Sequence, residues 1–245
     1  MDNNENAFQI PVNLGVGSDG NELTVNLLDA PNLLVVGNHG SGKDRFVEHV
    51  VESVLNSGSH KDVRIVLANL GGCVFNRFEY DPHLLTSVLH KKNESFGVMD
   101  YLDEEIRLRM AMFSSMKIEK IAKYNEMVSD GPYAGARDKL PYLVYVIDEI
   151  AGLVQDNGLR FKLQLWRLSC WSRLLGIHLV FATEVINQAV ISGRVVSDFP
   201  ACVVFRLDNA EQSRLVLGQD GAETLGEGEM VLYQQGKLHK SFLVS

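Results

Sequence analysis

No apolar run in the sequence is long enough to cross a bilayer. Segments such as Leu143 to Ile147 are far shorter than the run of about 20 apolar residues that a membrane-spanning helix needs. The opening MDNNENAF also lacks the basic start and the apolar stretch of a secretory signal peptide. We therefore expect a soluble, cytoplasmic chain that makes no direct membrane contact, and any membrane tether would lie in segments outside it.

Cysteine is scarce, occurring only at Cys73, Cys170 and Cys202. The number is odd, the spacings form no pair, and each residue lies in apolar surroundings. This usage excludes a disulfide framework and predicts buried, reduced thiols.

Positive charge is in the minority, with 23 basic against 31 acidic residues and a net charge of −8. A protein that coats nucleic acid by bulk electrostatics needs clustered lysine and arginine. The composition excludes that class of nucleic-acid binder, but it leaves room for a ring that grips DNA through a few loops.

Linkers rich in Pro, Ser or Gly, long charge runs and internal repeats are also absent, so nothing divides the chain. We expect a flexible segment over residues 1–7 and one domain over residues 8–245. Alternating and helical apolar patterns predict these elements: a hairpin over 10–25 turning at 19–20, strands at 33–36, 63–68, 143–147, 178–182 and 202–207, helices at 46–55, 100–116 and 159–175, and a closing hairpin over 230–233 and 237–244. Strands that alternate with helices predict an α/β fold with a mostly parallel central sheet, flanked by β-hairpins at both ends.

A glycine-rich motif lies between the strand at 33–36 and the helix that follows it. The motif fits G-x-x-x-x-G-K, the P-loop or Walker A pattern, and consists of Gly37, Asn38, His39, Gly40, Ser41, Gly42 and Lys43. The glycines let successive N–H groups point at phosphate oxygens, the helix N-terminus adds partial positive charge, and Lys43 adds a full charge against the β- and γ-phosphates. The motif predicts an ATP site.

The residue after the lysine departs from the P-loop pattern. A Ser or Thr normally stands there and its hydroxyl binds Mg²⁺, whereas this chain has Asp44. A carboxylate is a good Mg²⁺ ligand, but it also adds negative charge beside the triphosphate. Asp44 is therefore a candidate metal ligand; alternatively it caps the helix and occupies the anion site when nucleotide is absent.

Two acidic residues follow the apolar run that ends at Ile147. Asp148 and Glu149 stand where a parallel strand ends, downstream of a P-loop, which is the position of a Walker B pair. In that interpretation Asp148 holds Mg²⁺ and Glu149 polarises the attacking water.

Together these motifs resemble the RecA-like motor domain of the FtsK/SpoIIIE family of DNA translocases. The segments that carry the resemblance are PNLLVVGNHGSGK, DPHLLTSV, KYNEMV, LPYLVYVIDEIAGL, SRLLGIHLVFAT and SRLVLGQDGAETLGEGEMVLY. The resemblance implies ATP with Mg²⁺ bound between the subunits of a homo-oligomeric ring, a hexamer, with double-stranded DNA in its pore. It also implies that Arg173 reaches the γ-phosphate of a neighbouring subunit; alternatively it is an ordinary surface arginine.

Departures from the family pattern fall on positions that face the ligand. The family's Asp-Pro-Lys after the second strand is Asn69-Leu70-Gly71 here, and its polar γ-phosphate sensor after Thr183 is the acidic Glu184. In the pore-loop region Ala189 and Val196 are apolar, while Arg194 remains. We therefore predict that the nucleotide cradle is kept and that hydrolysis is weakened.

Three functions remain open from the sequence. The first is an ATP-driven DNA translocase motor, favoured by Lys43, Asp148, Glu149 and Arg173. The second is a degenerate module that binds nucleotide with little or no turnover, favoured by Asp44, Asn69 and Glu184. The third is an FtsK-like ATPase domain of a type VII secretion system, which would act on a protein substrate.

Overall fold

The computed structural model describes residues 8–17, 20–72, 75–191, 198–234 and 236–242. Its strands are β1 (Pro11–Gly17), β2 (Glu22–Asn26), β3 (Asn32–Val36), β4 (Val63–Ala68), β5 (Tyr142–Ile147), β6 (Ile177–Thr183), β7 (Ala201–Val204), β8 (Glu229–Gln234) and β9 (Lys237–Phe242). Its helices are α1 (Lys43–Leu55), α2 (Lys92–Met116), α3 (Ile121–Ser129), α4 (Ala151–Leu175) and α5 (Ala210–Leu217). Short 3₁₀ turns cover Phe75–Phe78 and Ala222–Thr224.

The described strands form one nine-stranded sheet in the order β2-β1-β9-β8-β7-β3-β6-β5-β4. Strands β7, β3, β6, β5 and β4 are parallel to their neighbours within that block. The predicted α/β fold with a mostly parallel central sheet is therefore confirmed. The hairpin β1–β2 pairs with the hairpin β8–β9 through β1 and β9. Together the two hairpins extend the sheet on the side of β7, which pairs with β8.

The parallel strands are mostly apolar because helices cover both faces of such a sheet. Every residue of β3, β5 and β6 is buried. Helix α1 packs one side against the sheet through residues at helical spacing: Phe46, Val47, Val50, Val51 and Val54. This burial, worth roughly 1.5–3 kcal/mol for each large apolar side chain, anchors the loop that precedes the helix.

The carboxyl ends of the parallel strands lie along one edge of the sheet. Strand β6 lies between β3 and β5, so the loop after β3 and the residues after β5 are two strand spacings apart, roughly 10 Å. The main chain leaves β6 at Thr183, between them. A crevice at the carboxyl ends of a parallel sheet is the usual ligand site of such folds.

Arg109 of α2, which is almost fully buried, lies at the amino ends of the parallel strands, opposite the carboxyl edge. Its guanidinium donates to the Leu175 carbonyl at 2.6 Å, to the Pro141 carbonyl at 3.0 Å and to Glu105 at 2.8 Å. Burial lowers the pKa of Arg109, and the Glu105 carboxylate acts in the opposite sense. This residue ties α2 to the end of α4 and the start of β5.

Two helices begin earlier than the sequence pattern predicts, and two helices were not predicted. Helix α2 starts at Lys92 rather than near Asp100, and α4 starts at Ala151 rather than at Leu159. Asn157 has non-helical angles (φ −154°, ψ 69°) inside α4, and this kink breaks the apolar periodicity that the prediction used. Helices α3 and α5 are short, and their patterns are too brief to stand out.

The cysteine prediction is right for one residue and wrong for another. Cys202 is buried in β7, and burial raises the pKa of its thiol to about 12. Cys170 is exposed, because it lies on the outward face of α4. Cys73 lies outside the described residues, as do the predicted flexible segment 1–7 and Asp19 of the first turn. Of the helices that the structure describes, none combines the length and apolarity required to span a bilayer.

His178 makes the fold sensitive to acid. The ring is fully buried, its Nδ1 lies 3.2 Å from the Pro31 carbonyl, and within the described chain its Nε2 has no hydrogen-bond partner. Burial lowers the pKa of His178 from 6.5 to about 4. The unfolded chain therefore takes up this proton first, and stability that is present above pH 6.5 is lost as the pH falls towards 4.

Between pH 6.5 and pH 4 the parent should lose roughly 3 kcal/mol of unfolding free energy through His178, and we predict that His178→Gln does not lose this part. Glutamine keeps a donor for the Pro31 carbonyl but does not titrate. Denaturant unfolding at several pH values measures this. The exposed His239→Gln is the matched control and should follow the parent. Parallel curves for His178→Gln and the parent would contradict the prediction.

Candidate functional site

The loop from Gly37 to Lys43 connects β3 to α1 at the carboxyl edge of the sheet. Gly40 (φ 71°) and Gly42 (φ 102°) have left-handed backbone angles that only glycine adopts without strain. Gly42 is the N-cap of α1, so the free N–H groups of the first helical turn face the crevice. Helix N-termini of this kind bind phosphate groups. The predicted strand–loop–helix arrangement is present.

The neighbouring loops hold this backbone in place. Gly37 N–H donates to the Thr183 carbonyl at 3.3 Å, and Asn38 N–H donates to the Arg206 carbonyl at 3.1 Å. From the other side, Gly228 N–H donates to the Ser41 carbonyl at 3.3 Å. Sequence reasoning missed Arg206 and Gly228; the only signal for the latter was the Gly-Glu-Gly run at 226–228.

Lys43 and Asp44 contact each other. The Lys43 side chain is only 5% exposed and its Nζ donates to the Asp44 carboxylate, which is 46% exposed. The cation that would meet the β- and γ-phosphates therefore has an anionic neighbour on its own chain. A nucleotide bound at this loop would have to compete with this carboxylate for Lys43.

Asp148 ends up buried at the carboxyl end of β5, with 1% exposure. Its Oδ1 accepts hydrogen bonds from Leu70 N–H at 2.6 Å and from Gly71 N–H at 2.9 Å. The loop after β4 thus donates two backbone N–H groups to the candidate metal ligand. Sequence reasoning treated this loop as a lost family motif and did not anticipate the contact.

Glu149 is bound to the end of β6. Its Oε1 accepts from the Thr183 hydroxyl at 2.6 Å and from Ala151 N–H at 2.7 Å, and its Oε2 accepts from Glu184 N–H at 2.9 Å. The structure therefore brings together the predicted catalytic carboxylate and both predicted sensor residues. The Thr183 hydroxyl also accepts from Val185 N–H at 3.1 Å, which fixes its orientation.

Further charged and polar side chains face each other across the loop. The Glu184 carboxylate lies 3.8 Å from His39 Nδ1; His39 is 92% exposed and Glu184 is 37% exposed. Asn38 donates through its amide nitrogen to the Asp208 carboxylate. The rim of the site is therefore acidic on two sides, at Glu184 and at Asp208.

The donor set suits Mg²⁺ that arrives with a nucleotide. In the part of the chain that the structure describes, no group of three or more His, Cys, Asp or Glu side chains could hold a metal ion. Mg²⁺ does not require such a cage, since it commonly takes one or two carboxylates together with substrate phosphates. Asp148 and Asp44 are the carboxylates that would serve, and the bound ion would neutralise phosphate charge.

Arg173 is not part of the site of its own chain. It is exposed in the last turn of α4, a helix that begins directly after the Asp148-Glu149 pair and leads away from the carboxyl edge. From the kink at Asn157 to Arg173 the helix runs for 16 residues, roughly 24 Å. Contact of Arg173 with a nucleotide would therefore require a second chain. Ala189 is exposed, whereas Arg194 and Val196 lie outside the described residues.

Residues 1–192 match the model of the FtsK/SpoIIIE family. Among similar proteins, the DNA translocase FtsK of Borreliella burgdorferi is 31% identical over 225 residues, which cover 91% of this chain and 28% of that protein. The DNA translocase FtsK of Helicobacter pylori (strain 26695) is 30% identical over 240 residues, covering 95% and 28%. The chain thus spans less than a third of the length of these curated relatives.

Solved structures share the fold at lower identity. The pCW3 conjugation coupling protein TcpA, in its monomer form with ATPγS, superposes with a TM-score of 0.80 at 20% identity over 95% of this chain and 65% of that one. The cytoplasmic domain of the type VII secretion ATPase EccC from Thermomonospora curvata gives 0.81 at 20% identity over 96% and 28%. At this identity the likeness establishes the fold alone.

Gly37 offers a direct test of the loop geometry. A Cβ at this position would lie 2.7 Å from Phe205 Cβ and 2.7 Å from Ser41 Oγ, so Gly37→Ala must displace the loop from the sheet. Overpacking of this kind costs about 1–3 kcal/mol. We predict that Gly37→Ala weakens binding of an ATP analogue about tenfold or more, measured by titration calorimetry.

Gly97→Ala is the matched control for this test. Gly97 lies in α2, and no atom is within 4 Å of an added Cβ. Alanine at this site should leave nucleotide affinity unchanged and raise stability by about 1 kcal/mol. If Gly37→Ala binds the analogue as tightly as Gly97→Ala does, the loop does not form the nucleotide cradle.

Proposed function

The chain belongs to the FtsK/SpoIIIE family, and we propose that it is the ATP-binding and ATP-hydrolysing motor domain of a DNA translocase. The observation that carries the proposal is the convergence of Lys43, Asp148 and Glu149 on one edge of the sheet. Lys43 follows the loop after β3, whereas Asp148 and Glu149 follow β5, and Thr183 between them bonds to Glu149. A nucleotide cradle, a metal ligand and a base are thereby close to each other.

Each of these residues has a distinct chemical role in the proposal. Lys43 and the N-terminus of α1 neutralise phosphate charge. Asp148 is the carboxylate that binds Mg²⁺, which supplies charge stabilisation at the transferred phosphoryl group. Glu149 accepts a proton from the attacking water; its carboxylate has about four lone-pair sites, and the three contacts from Thr183, Ala151 and Glu184 use three of them.

We further propose that turnover is slow. The Lys43–Asp44 contact and the Glu184 carboxylate both place negative charge where a triphosphate would bind. Two like charges 4 Å apart repel by about 1 kcal/mol in water and about 4 kcal/mol at an effective dielectric constant of 20. Mg²⁺ bound with the nucleotide would offset part of this repulsion.

The proposed assembly is a homo-oligomeric ring, a hexamer, with double-stranded DNA in its pore. The relatives of the chain are named as DNA translocases. In the proposed ring, Arg173 at the far end of α4 would meet the nucleotide of a neighbouring subunit rather than that of its own chain. The net charge of −8 favours contact with DNA through a few loops rather than through a broad basic face.

A second candidate function is a degenerate module that holds nucleotide without useful turnover. It is favoured by the contacts of the acidic site residues with the chain's own donors, notably Asp44 with Lys43 and Asp148 with Leu70 and Gly71. An ATPase domain of a type VII secretion system is the alternative in which the substrate is a protein rather than DNA. Turnover and its response to DNA separate these functions.

We predict Mg²⁺-dependent ATP hydrolysis that long double-stranded DNA stimulates and that Lys43→Ala abolishes. Steady-state phosphate release with and without DNA is the measurement. Glu149→Gln should keep nucleotide binding and lose turnover, because the amide cannot accept the proton of water. Tight binding without turnover would support the degenerate module, and turnover that responds to a secretion substrate but not to DNA would support the secretion ATPase.

We predict that Asp44→Ser and Glu184→Gln each tighten ATP binding at least about fivefold, the factor that corresponds to a repulsion of about 1 kcal/mol. Fluorescence titration with a labelled ATP analogue measures the dissociation constants. Glu119→Gln changes the net charge equally and serves as the control, because Glu119 is exposed in the turn between α2 and α3, two residues before Ile121, which packs against Gly176 at the amino end of β6. Dissociation constants no tighter than that of the parent would count against the proposed repulsion.

A further inference from the structure

Helix α1 begins with three charged residues in a row, Lys43, Asp44 and Arg45. The first two are paired, because Lys43 donates to Asp44. Arg45 is exposed, and none of the residues that the structure describes forms an ion pair or a hydrogen bond with its guanidinium. The acidic residue three positions further along the helix, Glu48, binds Arg77 at 2.9 Å. The first turn of α1 therefore presents one arginine whose charge no contact within the described chain neutralises.

The helix turns Arg45 away from Asp44. Glu48 and Glu52 follow Asp44 on one side of α1, and both contact Arg77 in the 3₁₀ turn after β4 at 2.9 Å. Asp44 thus lies on the side that faces β4 and β5. A helix turns by about 100° per residue, so Arg45 points away from that side. Because Cα–Cβ bonds in a helix tilt towards its N-terminus, the Arg45 side chain is directed towards the outer part of the phosphate-binding loop.

A nucleotide bound at this loop would meet different charges at its two ends. In the proposed function the γ-phosphate lies beside Glu149, which activates the attacking water, and the α-phosphate lies at the opposite, outer end. The acidic residues Asp44 and Glu184 belong to the γ end, since Asp44 contacts Lys43 and Glu184 N–H donates to Glu149 at 2.9 Å. Arg45 is the cation of the α end. Attraction at one end and repulsion at the other favour a ligand without the γ-phosphate.

We propose that Arg45 binds the α-phosphate and that the site therefore holds a nucleoside diphosphate at least as tightly as the triphosphate. This inference rests on the proposed function and names a specificity-determining residue of its site. The diphosphate keeps the contacts with Arg45 and with the loop N–H groups, and it avoids the repulsion from Asp44 and Glu184. Mg²⁺ accompanies both nucleotides and offsets phosphate charge in each. Retention of the diphosphate product makes product release the slow step of turnover.

Titration calorimetry in Mg²⁺ compares ADP with a non-hydrolysable ATP analogue. In the parent protein we expect the dissociation constant of ADP to be no larger than that of the analogue. Arg45→Gln removes the cation and should weaken both nucleotides by the same factor, about fivefold, whereas Arg45→Lys keeps the charge and most of the affinity. Arg137→Gln is the matched control and should bind as the parent does, because Arg137 is exposed in the loop that leads from α3 to the amino end of β5.

The two acidic residues of the γ end give a second readout, the ratio of the two dissociation constants. Asp44→Ser and Glu184→Gln should tighten the ATP analogue and leave ADP within about twofold of the parent, so the ratio moves towards the triphosphate. Asp208→Asn removes the same charge at the other rim of the loop. It should leave the ratio unchanged, because β7, which precedes Asp208, and β5 lie on opposite sides of β3.

Different results would overturn the inference and the proposed function. A parent protein that binds ADP tightly but releases no phosphate from ATP refutes hydrolysis and supports the inference. DNA-stimulated hydrolysis, together with an Arg45→Gln variant that binds both nucleotides as the parent does, overturns the inference and supports the function. A defect of Arg45→Gln confined to the ATP analogue, or a parent that binds ADP fivefold more weakly than the analogue, also overturns the inference. A parent that binds neither nucleotide refutes both.

Discussion

The structure depends on the pairing of a block of parallel strands that are buried on both faces. A buried backbone group needs a hydrogen-bond partner, and these strands find theirs only in register with each other. Their pairing order places β6 between β3 and β5. As a consequence the loop after β3, the acidic pair after β5 and Thr183 at the end of β6 meet at one edge. The site exists because the strands pair in this order.

Within the site, the chain supplies donors for its own acidic groups. Lys43 contacts Asp44, the loop after β4 donates to Asp148, and the end of β6 donates to Glu149. Such contacts stabilise neighbouring carboxylates that would otherwise have no hydrogen-bond donor. They also compete with the nucleotide and the metal for the same groups. In the proposed function, the retained nucleotide cradle and the slow turnover would both follow from this arrangement of charges.

Several parts of the fold were predictable because their signals are local. The P-loop, the apolar strand before Asp148 and the terminal hairpins each show a complete pattern within about fifteen residues. The early starts of α2 and α4 were not predictable in this way, since the kink at Asn157 interrupts the periodicity of α4. The exposed position of Cys170 was also missed, because an apolar neighbourhood in sequence is not the same as a buried face of a helix. Arg109 joins three elements, a role that its place in a helical pattern does not indicate.

The sequence by itself determined the class of fold, the phosphate-binding loop and the acidic pair, because periodicity and glycine spacing act between residues that are near each other in the chain. Only the tertiary structure decided which groups meet at the site. Leu70 and Asp148, Glu149 and Thr183, and Gly228 and Ser41 are far apart in sequence and become neighbours through the strand order and loop conformation. Hydrogen bonds between backbone N–H groups and distant carboxylates leave no pattern in side-chain identity, and for that reason the contacts of Leu70 and Gly71 with Asp148 could be seen only in the folded chain.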